Sequence, residues 1–216
     1  MLEKMGEFFD SRLDSYDVHQ LTCIDSAPEF LRFTAECLPT KADSAILDLG
    51  CGTGLELENY FSINPSAHIT GIDLAPGMLN RLKEKFSSKK LNLILGSYFD
   101  VPFGLTVYDA VVSVESLHHF TADEKMPLYI KLIEALKTSG FFILTDYFSL
   151  SDEEEHQHRS ELLRLKAEQG IDDGTFYHYD TPLTVEHEIH CLKSAGFSNI
   201  EVLNHWGNTY SIKAVK

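Results

Sequence analysis

The sequence predicts an α/β fold built on a mostly parallel, doubly wound sheet, and three observations carry that expectation. Short apolar runs alternate with helix-like stretches along the chain. The first run, Ala45-Ile46-Leu47-Asp48-Leu49, opens into a glycine turn, Gly50-Cys51-Gly52-Thr53-Gly54, and the second ends in Asp73, about twenty residues on. Near the end, Trp206-Gly207-Asn208-Thr209 reads as the tight turn of an antiparallel hairpin.

Strands are expected at Ala45–Leu49, His68–Ile72, Leu91–Leu95, Ala110–Val114, Phe141–Asp146, Ile200–Asn204 and Thr209–Ala214. Helices fit between them. Leu55–Phe61 follows the glycine turn, and Pro76–Phe86 starts with proline in its first turn, where the missing N–H costs nothing. Thr121-Ala122-Asp123-Glu124 has the capping-box pattern, but Pro127 is expected to break or kink that helix before Leu128–Leu136. Thr184 caps a helix whose Val185, Ile189, Leu192 and Ala195 share a face and which Gly196 stops. Ser26-Ala27-Pro28-Glu29 opens an earlier helix carrying Phe30, Phe33, Thr34 and Cys37.

The region from Tyr147 to Thr184 departs from this alternation. A charged helix is expected from Asp152 to about Glu168, broken at Gly170 and Asp172-Asp173-Gly174 before the aromatic run Phe176-Tyr177-His178-Tyr179. It falls on the side where the carboxyl ends of the strands open. The chain therefore reads as one domain, 1–216, with an N-terminal helical cover over 1–40 and a substrate-side insertion over 148–183.

The glycine spacing narrows the ligand. A dinucleotide site wants Gly-x-Gly-x-x-Gly or Ala, and here Leu55 stands where the third small residue should be. The turn holds no lysine, so a phosphate-cradling loop is excluded. What remains is a ligand with a ribose, for Asp73, and no phosphate.

With its flanking residues this turn resembles the first motif of class I S-adenosylmethionine-dependent methyltransferases. Three further segments extend the likeness over roughly residues 44–147: Gly96-Ser97-Tyr98-Phe99-Asp100-Val101-Pro102-Phe103, Tyr108 through Phe120 with its Leu117-His118-His119, and Leu136-Lys137-Thr138-Ser139-Gly140-Phe141. The resemblance implies a Rossmann-like seven-stranded sheet in the order 3-2-1-4-5-7-6, with the last strand antiparallel. It also implies S-adenosylmethionine as cofactor: Asp48, Gly50, Cys51, Gly52 and Gly54 in the loop, Asp73 on the ribose, Leu74 on the adenine, Ser97 and Tyr98 at its edge, Val114 and Glu115 beside the methionine half. Ser97 replaces the acid that usually meets the adenine amino group.

Composition sets the remaining bounds. The chain is 44% hydrophobic over 216 residues, enough for one full core, and has no apolar run long enough for a membrane span. Its N-terminus lacks the apolar stretch of a signal peptide, and Cys23, Cys37, Cys51 and Cys191 have no metal or redox spacing, which fits reduced thiols in the cytoplasm. A formal charge of −15, from 33 acids and 18 bases, disfavours nucleic acid and points to a small-molecule acceptor. A homodimer is compatible with the sequence.

Methyl transfer from a sulfonium is an in-line displacement, so the protein must chiefly align the reactants, with a base where the acceptor loses a proton. The candidates are His118 and His119 after the fourth strand and Asp146 and Tyr147 at the end of the fifth. Tyr16, Tyr177, His178 and Tyr179 are candidates for the acceptor pocket. No metal site is expected: His156, His158, His187 and His190 read as helix-surface residues. The expected activity is methyl transfer to oxygen, nitrogen or carbon of a small molecule; the alternatives are a tRNA or protein methyltransferase, or a protein that binds or modifies the cofactor itself.

Overall fold

The computed structural model describes every residue except 172 and 173. The strands are β1 (Ala45–Leu49), β2 (His68–Asp73), β3 (Lys90–Leu95), β4 (Tyr108–Val114), β5 (Leu136–Tyr147), β6 (Ser198–Trp206) and β7 (Thr209–Val215). They form one sheet in the order β3-β2-β1-β4-β5-β7-β6. Pairing is parallel from β3 through β5, and β7 runs antiparallel to both its neighbours, as expected. The helices are α1 (Met5–Ser11), α2 (Leu13–Cys23), α3 (Ala27–Cys37), α4 (Leu55–Ile63), α5 (Pro76–Lys85), α6 (Ala122–Ala135), α7 (Asp152–Glu168) and α8 (Val185–Ala195).

Alternate residues of each strand face opposite layers. On one side Ile46, Ile69, Val112 and Ile143 cluster with Leu57, Tyr60 and Leu82 of α4 and α5. On the other, Leu47, Val111, Phe142 and Leu144 cluster with Leu128, Leu132 and Leu192 of α6 and α8. Each fully buried aliphatic side chain contributes about 1.5–3 kcal/mol relative to exposure. This two-sided burial is what holds the strand ends, and therefore the loops beyond them, in fixed positions.

Three local expectations need correction. α6 runs unbroken through Pro127, which sits on its exposed side, where the freed carbonyl of Asp123 can meet water. β5 begins at Leu136, five residues before Phe141, and a register shift against β4 between Tyr108 and Ala110 absorbs the Lys137–Gly140 stretch. α8 buries Glu188, Cys191 and Leu192, so its inner face is rotated to centre on Glu188; of the expected apolar face Leu192 is buried, while Val185 and Ala195 pack against the core only partly buried. α7 spans Asp152–Glu168 as expected, capped by the Ser151 hydroxyl accepting from Glu154 N, with four acids in its first turn to complement the helix dipole. The expected break at Asp172-Asp173 lies outside the described residues.

The rotation of α8 has a physical cause. Glu188 accepts a 2.6 Å hydrogen bond from Lys125 Nζ and a short one from the Tyr129 hydroxyl, and all three side chains are buried between α6 and α8. Removing one partner of such a pair strands a buried charge, at about 3–5 kcal/mol. Glu188→Ala is therefore expected to cost about that much in urea unfolding. The double change Lys125→Met with Glu188→Leu, which leaves no unpaired charge, is expected to cost clearly less.

Candidate active site

Strand order reverses at β1, whose neighbours β2 and β4 lead the chain to opposite sides, and ligands of open α/β sheets bind in the crevice this leaves. Here the crevice is floored by the glycine turn. Gly50 N and Cys51 N donate to the Ile72 carbonyl at 2.9 and 3.2 Å, and Gly54 closes the turn on Cys51 O at 2.8 Å. Gly50 has φ 69°, and a Cβ there would lie 2.1 Å from Ser116 Oγ. Only glycine lets the β1 and β4 loops approach so closely. Gly54, at φ 72°, is the left-handed residue from which α4 starts.

Asp73, at the end of β2, is oriented by backbone donors: Gly52 N reaches Oδ2 and Ala75 N reaches Oδ1, both at 2.8 Å. Each oxygen keeps acceptor capacity toward the cavity. That cavity is lined along its length by Gly50, Gly52, Asp73, Leu74, Met78, Tyr98, Glu115, Ser116 and His119, and roofed by Met5, Phe9 and Tyr16 of α1 and α2. Tyr98 is fixed through its hydroxyl, 3.1 Å from Ser116 Oγ, and through its carbonyl, which accepts from Lys131 Nζ at 2.6 Å. α2 is tied to the glycine turn by Thr53 Oγ1 donating to Asp17 Oδ1 at 2.5 Å.

A second cleft, of about 640 Å³, adjoins the first and shares Phe9, Tyr16, Glu115 and His119 with it. Its other walls include His118, Tyr147, His178 and Asp180. Asp146, 2% exposed at the end of β5, organises this wall. Its Oδ2 accepts from Leu117 N and His118 N at 2.8 and 3.2 Å, and its Oδ1 accepts from His118 Nδ1 and Tyr147 N at 2.6 and 2.9 Å. All its capacity is spent inward, so Asp146 positions the histidine turn and does not face an acceptor.

The two adjacent histidines differ electrostatically. Burial works against a charged His118, but Asp146, Glu115 and Asp180 around it raise its pKa to about 9. His119 is lowered to about 4 by burial and by the neighbouring His118 charge, although Asp180 opposes this. At neutral pH His118 is the cation and His119 the free base. Burial and Asp146 push Glu115 up to about 7. His119 Nδ1 lies 3.0 Å from Asp180 Oδ1 and 3.3 Å from the Tyr179 carbonyl oxygen, while His118 Nε2 is 3.6 Å from the same Asp180 oxygen.

Other candidates are placed less centrally. Ser97 Oγ accepts from Phe99 N, and the residue opens on a separate cleft with Leu74 and Asp100. Tyr177 forms a bridge with Lys4, and Tyr179 contributes its carbonyl; of the aromatic run only His178 lines the acceptor cleft. Cys51 is turned down against β2, its sulfur 2.7 Å from where a Cβ on Gly71 would sit. Val114 borders the glycine turn with Tyr16. Sequence reasoning missed Asp180, Phe9 and Glu56. Asp180 directly follows the Phe176–Tyr179 run that was singled out, and Glu56 stands in the first turn of the helix that follows the glycines. His187 and His190 are exposed on α8, as expected of helix-surface residues. Among the described residues, donor atoms of His118, His119 and Asp180 lie within 4.8 Å of one another, a grouping the search for sequence-spaced ligands did not anticipate.

The cavity fits S-adenosylmethionine. Asp48 Oδ2 and Glu56 Oε1 are buried beneath the turn with no hydrogen-bond partner among the described residues, and burial raises the pKa of both acids. Such a pair stays costly until a cationic group or a shared proton answers it. Glu56 lies beneath the turn in a space that shares Gly50, Gly52 and Glu115 with this cavity, so a ligand carrying an ammonium and a ribose would have acidic groups toward the first and Asp73 toward the second. Leu74, Met78 and Met5 supply an apolar wall for its base.

Histidine NMR titration checks the electrostatics: His118 is expected to deprotonate near pH 9 and His119 to protonate only near pH 4. Because His118 is raised above its ordinary value of 6.5, its contribution to stability is complete below pH 6.5 and is lost as pH rises toward 9. The stability advantage of the native protein over His118→Gln is expected to shrink across that window.

Comparisons with known proteins agree with this geometry. Residues 46–140 match a family model described as a methyltransferase domain. The biotin biosynthesis bifunctional protein BioHC of Teredinibacter turnerae is 27% identical over 86% of this chain, which spans 36% of that protein's length. A carboxy-S-adenosyl-L-methionine synthase of Nautilia profundicola is 23% identical over 100% of this chain and 96% of its own. In fold, the chain is similar to a crystallised candidate O-methyltransferase of Nostoc punctiforme, with a TM-score of 0.72 at 21% identity, covering 99% of this chain and 62% of that one. The match spans the glycine turn, Asp73 and the loop after β4, so this part of the chain is similar to methyltransferase domains, and the whole chain shares their fold.

Proposed function

We propose that this enzyme methylates an oxygen, nitrogen or carbon atom of a small molecule held in the cleft beside the cofactor cavity, with His119 as the base. The observation that carries this reading is the shared wall: Phe9, Tyr16, Glu115 and His119 border both spaces, so a nucleophile in the cleft meets the cofactor's methyl end across them. The bound cofactor supplies an electrophilic methyl group on a sulfonium. The chain supplies alignment and a place for the proton. Phe9 and Tyr16 cover the junction and exclude water, and His119, uncharged at neutral pH, takes the acceptor's proton. His118, locked to Asp146, contributes a fixed positive charge and no free lone pair at Nδ1. Tyr147 and His178 border the acceptor.

The walls and the charge support a small acceptor. The cleft is walled by residues of α1 and α2 on one side and by His118, Tyr147, His178 and Asp180 on the other. A chain with 33 acids and 18 bases has little to offer a polyanion. The likeness to a carboxy-S-adenosyl-L-methionine synthase favours one second reading, chemistry on the cofactor itself.

Transfer of labelled methyl from S-adenosylmethionine into a metabolite extract tests the assignment. Label is expected in a small molecule, and His119→Ala is expected to lower turnover by about 10²–10⁴-fold while leaving S-adenosylhomocysteine affinity within about threefold. Label in bulk tRNA, or in a modified cofactor alone, would overturn it.

Asp73 is expected to dominate cofactor affinity. Charge-assisted bonds to two ribose hydroxyls are worth about 1.5–3 kcal/mol each, so Asp73→Ala is expected to weaken S-adenosylhomocysteine binding by about 2–4 kcal/mol in calorimetry. Ser97→Ala, whose hydroxyl is engaged with Phe99 N, is expected to cost under about 1 kcal/mol.

A further inference from the structure

Among the described residues, Asp180 is the carboxylate of the acceptor cleft that comes from the insertion, whereas Glu115 follows β4. Its surroundings bind it to two places at once. On one side, Thr181 N donates to the His118 carbonyl at 2.8 Å, and the Tyr179 carbonyl and Asp180 carboxylate both face His119 Nδ1. On the other, the same segment is stitched to α1. Met5 N donates to Phe176 O and His178 N to Glu3 O, both at 2.9 Å, Lys4 and Tyr177 form an antiparallel bridge, and Leu2 N donates to Gln169 Oε1. The Phe8 and His178 rings stack 3.5 Å apart at 7°.

α1 is in turn the roof of the cofactor cavity. Met5 and Phe9 line it, a Cβ on Gly6 would lie 2.9 Å from Leu74 O, and Asp10 Oδ1 accepts from Gly77 N at 2.8 Å. α1 and the segment that carries Asp180 are therefore joined by main-chain hydrogen bonds, and a displacement of one loads the other.

We propose that Asp180 is the positioning residue of the base His119, and that it is delivered by closure of α1 and the 175–181 segment over a bound cofactor. In the closed form Nδ1–H donates to the acceptors of the segment, so the lone pair stands on Nε2, the atom left to take the acceptor's proton. In the open form His119 loses both acceptors and its tautomer is no longer fixed. The base is thus assembled only over a loaded cofactor site, which imposes an order: cofactor first, acceptor second. This rests on the reading of His119 as the base, but the coupling itself is independent of which acceptor is used.

The test needs no acceptor. The full chain, labelled with ¹⁵N-histidine and kept in EDTA so that no cation bridges the cluster, is titrated with S-adenosylhomocysteine. The His119 signals are assigned with His119→Gln. Saturation is expected to convert His119 to a single Nδ1–H tautomer and to slow amide hydrogen exchange of residues 175–181 together with α1, by at least about tenfold. Asp180→Ala is expected to leave ligand affinity within about threefold yet return His119 to mixed tautomers, because the Tyr179 carbonyl, which accepts from Nδ1 at 3.3 Å, lacks the negative charge that Asp180 Oδ1 holds 3.0 Å from the same nitrogen. Asp180→Asn, which keeps a side-chain acceptor, is expected to restore much of the native signal, as a role in folding alone would not require. Protection of α1 without protection of 175–181 would overturn the coupling. A tautomer unchanged in Asp180→Ala would overturn the positioning role. If both results hold and His119→Ala still transfers methyl at the native rate, the base assignment falls and the coupling stands.

Discussion

The site depends on one buried carboxylate. Asp146 lies at the end of β5 with four donors around it, and through them it fixes the turn that carries His118 and His119 beside the end of β4. The sheet makes this possible. β4 and β5 are parallel neighbours with Val114 opposite Thr145, so the residue after β4 and the end of β5 emerge side by side. Burial penalises the ionised acid, and the adjacent His118 imidazolium holds its pKa below the ordinary range nonetheless. Burial, together with the charge that Asp146 induces on His118, then suppresses protonation of His119, so two neighbouring residues of one kind acquire opposite charge states.

Much of the frame could be read from residue order. The glycine turn, the acid at the end of β2 and the closing hairpin are local signals whose geometry is dictated within a few residues, and the strand order followed from the family likeness they supported. What escaped was decided across the fold. Nothing near Glu188 in sequence shows that Lys125 and Tyr129, on another helix, will neutralise it in the core. Pro127 looked like a break because its exposed position on α6 depends on what α6 packs against. In the site, Asp73 was legible because its partners Gly52 and Ala75 belong to the same motif. Asp146 was found as a residue but not as a role, since its inward bonds come from a turn 28 and 29 residues away. Asp180 was missed because it acquires meaning only when the insertion meets the loop after β4.

The site also carries stored cost. Among the described residues, Asp48 and Glu56 stand buried beneath the glycine turn with only each other as hydrogen-bonding carboxyls, and Glu115 lies in the space next to Glu56. Proteins tolerate such groups at binding sites because the rest of the fold outweighs them, here through the two apolar layers on either side of the sheet. A cationic ligand relieves part of that cost on binding, which converts local instability into affinity.

The seam between α1 and the 175–178 segment has a practical side. Residues 3–5 pair through the main chain with residues 176–178, and Met5 and His178 line the two cavities, so a peptide fused ahead of Met1 would join the chain next to this seam. Lys216 lies at the opposite end of the strands, where its N donates to Gly140 O and its Nζ to Leu136 O near the start of β5. Purification handles, fluorescent partners and surface tethers therefore belong after residue 216, where they add mass without touching the moving elements.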